Sequence, residues 1–249
     1  AGFDSNDMSI WRSDDAGSTW VHVDESAHVT GVAVKPTDSR TVIHGVVEGD
    51  LIFSSEGGSG SEVALTLRGT ENYRFSAVAY APSDPEIAYT ASSGAREGSE
   101  GRTGDSAEVY VSANSGRNWS LAGVCGGCGF LHTIIIDPAN ASLLYAATAT
   151  GVRLSDNGGA TWTENLLTNL NSRQANVLGL ALQPGSTGRI LAATSEHGVF
   201  RTEDGGANWV ESSTGLDTTM THEVVFALNE PDVAYVTTHR GVYRSNDGG

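Results

Sequence analysis

The chain contains few residues of several kinds, and each shortage excludes a class of protein. Its 249 residues include only two cysteines and six prolines, and Lys35 is the single lysine. The apolar runs are all much shorter than the roughly 18 residues that a membrane-spanning helix needs, so we expect no membrane insertion within the chain. Thirty acidic side chains against 14 basic ones give a formal net charge of −16. This charge repels phosphate backbones and argues against a nucleic-acid partner.

Glycine, in contrast, is abundant and recurs at regular places. The 31 glycines show no Gly-X-Y period, which indicates tight turns and excludes a collagen-like chain. Many of them belong to an eight-residue box of the form Ser/Thr-x-Asp/Asn-x-Gly-x-Thr/Asn-Trp. Four near-complete copies begin at Ser13, Ser112, Ser155 and Thr202. A degenerate copy begins at Ser54, with Ser61 in place of the tryptophan, and a sixth begins at Ser245.

Each interval between boxes repeats one pattern of short apolar runs. A first run is followed by a turn rich in proline and aspartate, then by a second run, and a third run leads into the box. A fourth run starts at the box tryptophan. The first runs cover residues 29–34, 77–81, 133–136, 177–182 and 223–228, and their apolar character predicts strands buried on both faces. Four strands in about 45 residues are typical of one β-propeller blade.

The box resembles the Asp-box, or BNR, repeat of sialidase-like and related β-propellers. The resemblance covers essentially the whole chain and implies an all-β fold, namely a β-propeller of four-stranded antiparallel blades with Asp-box hairpins. We expect a single propeller over residues 1–249 that starts and ends within a blade, and six or more blades in the full protein. One fold hosts unrelated activities, so the resemblance by itself does not specify a function.

The recurrent box residues could suggest a metal or catalytic site, but we interpret them as structural. Glycine permits a positive φ, the Asp or Asn side chain ties the hairpin backbone, and the tryptophan packs between neighbouring sheets. In similar propellers the boxes lie at the periphery, on the face away from the active site. This interpretation covers Asp15, Trp20, Asn114, Trp119, Asn157, Trp162, Asp204, Trp209 and Asp247. The sequence indicates no metal site and no cofactor.

The two cysteines form one motif, Cys125-Gly126-Gly127-Cys128. Such a motif can be a redox site, half of a zinc site or a small disulfide loop. A zinc site would need two further ligands, and a thioredoxin-like site needs a helix that this pattern does not offer. We therefore favour a Cys125–Cys128 disulfide that stiffens the loop before an inner strand, with a free or metal-linked pair as the alternative. A disulfide implies an extracytoplasmic location: secreted, periplasmic or at the cell surface.

Polar side chains recur where the first strand of each blade begins. These inner strands frame the central channel of a propeller, and their starts face one mouth. When the blades are aligned on their turns, one position holds His28, Arg74 and Asn176, and a position two residues later holds His132 and His222. Converging polar side chains at a channel mouth predict a ligand-binding site. The alternative is that the histidines are hydrogen-bonded parts of the scaffold, and Glu223 is a weaker candidate nearby.

A glycoside hydrolase is one functional class that the resemblance implies. Sialidases with these boxes clamp a carboxylate with three arginines and use a tyrosine nucleophile with two acids. The third strands of this chain carry arginines at repeat positions, which we do not expect to converge: Arg12, Arg153, Arg201 and Arg244. Xyloglucan-cleaving enzymes also resemble the chain at residues 137–140, but they need two carboxylates across a cleft, and no pair of acids stands out here.

A non-catalytic binding protein is the other class. Photosystem II assembly factors and sortilin-type receptors use similar repeats to bind other molecules. We therefore predict an extracytoplasmic binding or scaffolding module for a protein or carbohydrate partner. A xyloglucanase-like or sialidase-like glycoside hydrolase, with catalytic residues partly outside this chain, is the alternative.

Overall fold

The structure is a computed structural model that describes residues 9–24, 29–46, 49–67, 74–93, 106–167, 170 and 175–249. The regular secondary structure of these residues consists of antiparallel strands in six sheets. The described residues contain no helix with the length and apolar character of a membrane span. The prediction of an all-β fold is therefore confirmed.

The sheets follow one another along the chain, and in each sheet the strands lie in sequence order. Sheet 1 holds β1 (Ile10–Arg12) and β2 (Val21–Asp24), and sheet 2 holds β3 (Val29–Lys35), β4 (Asp38–Val46), β5 (Asp50–Ser54) and β6 (Glu62–Thr66). Sheet 3 holds β7 (Arg74–Tyr80), β8 (Ala88–Ser93), β9 (Ala107–Ser112) and β10 (Ser120–Cys125), and sheet 4 holds β11 (Leu131–Asp137), β12 (Asn140–Thr148) and β13 (Gly151–Ser155). Sheet 5 holds β14 (Val177–Leu182), β15 (Ile190–Thr194), β16 (Val199–Thr202) and β17 (Val210–Glu211), and sheet 6 holds β18 (Thr221–Ala227), β19 (Glu230–Thr238) and β20 (Gly241–Ser245).

The fourth strands start one residue later than the sequence predicts, directly after the tryptophan or the residue in its place. After Trp162 the described residues up to Leu167 form no fourth strand. Instead the amides of Thr163 and Leu166 donate to the carbonyl oxygens of Leu154 and Val152 on β13, at 2.9 and 2.8 Å. These two bonds satisfy part of the outer edge of sheet 4 without a regular strand.

Successive sheets pack face to face, with their inner strands next to one another. The inner strands β3, β7, β11, β14 and β18 each contact the next one in that order. A separate apolar cluster fills each gap from sheet 2 to sheet 6, and its largest buried members include Phe53, Leu131, Ile190 and Leu191. The sheets are thus arranged as the blades of a β-propeller.

The inner strands are buried on both faces, as the sequence predicts, in the middle sheets only. β11 and β14 are mostly buried, whereas Val32 and Val34 of β3 are 54% and 50% exposed and Val225 of β18 is 49% exposed. The expectation is wrong for β3 and β18. Among the described residues, each of these strands has a neighbouring inner strand on one side only, so the opposite face stays open to solvent.

The antiparallel order of the strands gives the molecule two different faces. The inner strands begin on the same face as the hairpins between second and third strands, and we call it the entry face. The boxes follow the third strands and lie on the opposite face, which we call the box face. On that face a box glycine amide donates to the start of the second strand, as from Gly158 to Ser142 at 2.9 Å.

Candidate functional site

The box face is built by one set of hydrogen bonds repeated in six copies. In every box the first Ser or Thr hydroxyl accepts from the amide of the glycine four residues later, for example Ser112 from Gly116 at 2.8 Å. The Asn114 carboxamide oxygen accepts from the Ser112 hydroxyl at 3.0 Å and from the Asn118 amide at 2.9 Å. These bonds account for the spacing of the Ser, the Asp or Asn, and the glycine.

The same turns hold adjacent sheets together. Gly116 has a φ of +93°, and a Cβ atom there would lie 2.3 Å from Ile43 Cδ1 of the preceding sheet. Trp119 donates its indole N–H to the Gly116 carbonyl at 2.8 Å and packs against the apolar cluster between sheets 2 and 3. Only glycine permits both the left-handed backbone and the close contact.

The box aspartates are held as carboxylates by donors from their own turn. Hydrogen bonds from the Asn208 side chain and amide and from Thr202 lower the pKa of Asp204 to about 2. The Thr19 hydroxyl and amide lower the pKa of Asp15 in the same way. In the part of the chain that the structure describes, no group of three or more His, Cys, Asp or Glu side chains is placed to hold a metal ion.

On the entry face, every inner strand has a pairing irregularity near its start. The irregularity near the start falls at Thr30, Ser76, His132 and Leu178 and, in β18, at His222 and Glu223. A bulge of this kind redirects a side chain away from the regular alternation. The Thr30 hydroxyl donates to the Phe75 carbonyl oxygen, and the Ser76 hydroxyl donates to the Leu131 carbonyl oxygen. The bulge side chains thus bridge neighbouring sheets.

His132 makes the corresponding bridge between sheets 4 and 5. Its Nε2 atom lies 3.1 Å from Asn176 Oδ1, and its ring centroid lies 4.9 Å from that of Phe130. Burial lowers the pKa of His132, while the hydrogen bond to Asn176 acts in the opposite direction. The imidazole is therefore neutral near pH 7 and donates its Nε2–H to the Asn176 oxygen.

His222 lies one sheet further along the entry face and is exposed. Its carbonyl oxygen packs against β14, because a Cβ atom at Gly179 would lie 3.0 Å from it. The adjacent Glu223 is an exposed residue, but desolvation by its surroundings raises the pKa of its carboxyl. This part of the entry face therefore presents an accessible imidazole and a carboxyl with weakened acidity.

The structure thus brings together two of the five predicted channel-mouth residues, His132 and Asn176. Arg74 begins β7, but its side chain lies outside the described residues, as does all of His28. Sequence reasoning missed Thr30 and Ser76, which hold the same bulge position as His132. The signal was a polar residue two positions after His28 and Arg74. When the blades are aligned on their turns, His132 holds this same position, two residues after the one that Asn176 holds in its own blade.

The cysteine loop supports the segment that leads to His132. Cys125 and Cys128 are both buried and form a close pair, with Cα atoms 5.7 Å apart. The Gly127 carbonyl oxygen accepts from the Thr150 hydroxyl at 2.7 Å and from the Arg153 guanidinium at 3.1 Å. The loop is therefore fixed to sheet 4 on the entry face.

The four third-strand arginines lie on four different sheets and do not converge. Arg12 and Arg201 donate to the carbonyl oxygens of Gly57 and Gly249 in the box of the following sheet, at 3.3 and 2.5 Å. Arg244 is exposed and lies 4.0 Å from a Glu230 oxygen. Arg153 is buried, because it stands two residues before its box and so points to the other side of the sheet.

Comparison with known proteins shows the fold. No family model and no curated protein sequence matches the chain. An ancestral GH74 enzyme is similar in structure, with a TM-score of 0.74 and 20% identity over 96% of this chain and 34% of that enzyme. The computationally designed Ika8 protein has a TM-score of 0.63 at 12% identity, over 96% of this chain and 65% of its own. YCF48 from Cyanidioschyzon merolae has a TM-score of 0.63 at 15% identity, over 88% of this chain and 67% of its own.

These similarities confirm the predicted fold class and the resemblance to β-propellers of this type. The chain spans about a third of the length of the GH74 enzyme. At these identities the shared property is the fold, which other proteins use for unrelated activities. The chain therefore has the β-propeller fold.

Proposed function

We propose that this chain is an extracytoplasmic binding or scaffolding module that takes a protein or glycan partner on its entry face. The observation that supports the proposal most is the row of bulges near the starts of successive inner strands. His132 and Asn176 form a fixed, neutral pair there, and His222 is free to contact a partner. A mouth lined by a few oriented polar groups is suited to recognition.

The buried, close pair of Cys125 and Cys128 supports the extracytoplasmic part of the proposal, since such a pair can form a disulfide and disulfides persist in oxidising compartments. The net charge of −16 favours partners that are neutral or basic over nucleic acids or anionic membranes.

Binding to defined probes tests the proposal. Xyloglucan oligosaccharides, sialyllactose and a glycan array would be titrated against the chain, followed by capture of proteins from an extracytoplasmic extract. We expect the variant His222→Ala, and the double variant with His132→Ala and His222→Ala, to bind the captured ligand at least tenfold more weakly. Asp156→Ala on the box face serves as the matched control and keeps full affinity. If the double variant binds as well as the unchanged chain, the channel mouth is not the binding site.

A glycoside hydrolase is the second candidate, and Glu223 is the observation that favours it. Desolvation raises the pKa of the Glu223 carboxyl on the entry face, and a carboxyl with a raised pKa is suited to act as a general acid. Chromogenic sialosides and xyloglucan would be tested as substrates, with Glu223→Gln beside the unchanged chain. If the unchanged chain turns over a substrate and Glu223→Gln does not, the chain is an enzyme and not a binding module.

A further inference from the structure

An open cavity of about 320 Å³ lies on the box face of sheet 3, at the box that begins at Ser112. Its volume falls in the range of roughly 300–1,000 Å³ that ligand pockets have. Sheet 3 holds all four strands of a blade and packs against sheet 2 on one side and sheet 4 on the other. The cavity is lined by Val111, Ala113, Asn114, Asn118, Trp119 and Ser120.

The box at this cavity differs from the other near-complete boxes in one hydrogen bond. In those three boxes a side-chain hydrogen bond joins the third and seventh residues: Thr19 to Asp15 at 2.7 Å, Asn157 to Thr161 at 2.8 Å, and Asn208 to Asp204 at 2.7 Å. In the box that begins at Ser112 both positions hold asparagine, and among the described residues the two side chains form no such bond. Asn114 uses only its carboxamide oxygen, which accepts from the Ser112 hydroxyl and the Asn118 amide. The NH₂ group of Asn114 and the whole carboxamide of Asn118 therefore remain available to a ligand.

These two carboxamides give the cavity donors and an acceptor but no charge. The NH₂ group of Asn114 supplies two donors, and Asn118 supplies two donors and a carbonyl oxygen. The neighbouring Arg117 is engaged elsewhere, since its guanidinium lies 4.6 Å from the Phe53 ring centroid and 3.6 Å from a Glu62 oxygen. A ligand that fits this lining is neutral and carries groups that both donate and accept, as hydroxyls do.

Trp119 adds a flat apolar surface to the cavity. Its indole N–H already donates to the Gly116 carbonyl oxygen at 2.8 Å, and its ring is half-buried against the cluster between sheets 2 and 3. Trp209, at the same box position in sheet 5, is only 6% exposed. Trp119 thus keeps part of its ring open, and this part offers an aromatic surface without a free N–H. The C–H groups on the flat face of a sugar ring can pack on such a surface, while hydroxyls at the ring edge reach the polar groups.

We propose that this cavity is a binding site for a neutral saccharide, in which one pyranose ring packs on Trp119 and its hydroxyls bond to Asn114 and Asn118. The net charge of −16 likewise disfavours an acidic sugar. The inference is independent of the proposed entry-face function, since it concerns the box face.

Titration with oligosaccharides tests this site. Cellohexaose, mannohexaose and maltohexaose would each be added to the isotopically labelled chain, with sialyllactose as the anionic comparison, and NMR would follow the side-chain N–H signals of Asn114, Asn118 and Trp119. We expect at least one neutral hexasaccharide to bind saturably and to shift these signals, and sialyllactose to bind at least tenfold more weakly. Binding of none of the three neutral probes, or equal binding of sialyllactose, would overturn the proposal.

Two variants copy boxes that occur elsewhere in the chain, so both should keep the turn. Asn114→Asp gives this box the Asp–Asn pair of the box that begins at Thr202, and Asn118→Thr gives it the Asn–Thr pair of the box that begins at Ser155. In each variant the new side-chain bond occupies a group that the sugar needs, so we expect at least tenfold weaker binding. Asn157→Asp makes the same change in the box of sheet 4 and is the matched control, which should keep full affinity.

Melting curves show whether the variants are folded, and the signal shifts test the proposal without any change to the chain. Unchanged affinity in folded Asn114→Asp or Asn118→Thr would overturn it. His222→Ala separates this site from the entry face and should bind the hexasaccharide normally. A loss of sugar binding in His222→Ala would assign the sugar to the entry face and would also overturn the proposal.

Discussion

The Nε2 atom of His132 lies 3.1 Å from the Oδ1 atom of Asn176, and this contact joins the starts of two neighbouring inner strands on the entry face. Thr30 and Ser76 join the preceding sheets from the same position of their strands. The channel mouth is thus held by side chains that leave the regular strand alternation. The same contacts that hold the scaffold therefore also orient the candidate binding groups.

The first prediction concerns the protonation of His132. Because burial lowers its pKa, His132 should titrate below 6.5 in the folded chain. Asn176→Asp places a carboxylate beside the ring and should raise the pKa of His132 by about one to three units. NMR titration of the imidazole measures both values, and Asn157→Asp on the box face is the control. Titration of His132 at or above 6.5 in the unchanged chain would contradict the assignment.

The same shift makes the stability of the chain depend on pH. A folded-state pKa below the unfolded value means that the unfolded chain binds protons more readily. The contribution of His132 is therefore complete above about pH 6.5 and is lost as the pH falls through the lowered pKa. We expect His132→Gln to reduce the loss of thermal stability in this interval. An unchanged pH profile for the variant would speak against burial as the cause.

The box glycines should be sensitive to a single added methyl group. Gly116→Ala combines a positive φ with a clash against Ile43, and we expect a loss of about 2–4 kcal/mol in the free energy of unfolding. Gly126→Ala is the matched control, since Gly126 has a φ that any residue tolerates and no atom within 4 Å of the added Cβ. Urea denaturation measures both variants. Equal free energies of unfolding for the two variants would show that the box turn accommodates the methyl group without loss of stability.

Two arginines of the third strands should differ in their importance. Arg153 is buried and donates to the Gly127 and Thr163 carbonyl oxygens, each at 3.1 Å, so Arg153→Met should cost about 2–4 kcal/mol. Its contact with Glu164 adds little, because that carboxylate is fully exposed. Arg244→Met removes an exposed group and should change the stability by less than about 0.5 kcal/mol. Similar losses in both variants would contradict the burial argument.

Low pH should destabilise the box turns, because it protonates their aspartates. The pKa of Asp204 is lowered to about 2, below its ordinary value near 4. Its stabilising contribution is complete above about pH 4 and is lost as the pH falls towards 2. Asp204→Asn keeps an acceptor for the Asn208 amide but removes the titration, so its melting temperature should fall less steeply across this interval. A variant as acid-sensitive as the unchanged chain would show that the carboxylate is not the titrating group.

The repeat made most of the fold predictable, because a box at regular intervals specifies the turn and the strands on both sides. The inner strand at residues 177–182 lies where the pattern predicts it. The sequence shows a polar residue at Thr30, Ser76 and His132, but it does not show that each lies at a bulge, since the pairing register depends on the neighbouring strand. The different role of Arg153 was also hidden, because a shift of one residue turns a side chain to the other side of a sheet.

Photo-cross-linking from the entry face tests most directly whether a partner binds at the channel mouth. A photoreactive amino acid would replace exposed His222 in one variant and exposed Asp156, on the box face, in another. Both variants would be irradiated in an extracytoplasmic extract supplemented with the glycan probes, and the adducts identified by mass spectrometry. We predict one specific adduct from position 222 and none from position 156. An adduct from position 156 alone, or none from either position, would contradict a binding site at the channel mouth.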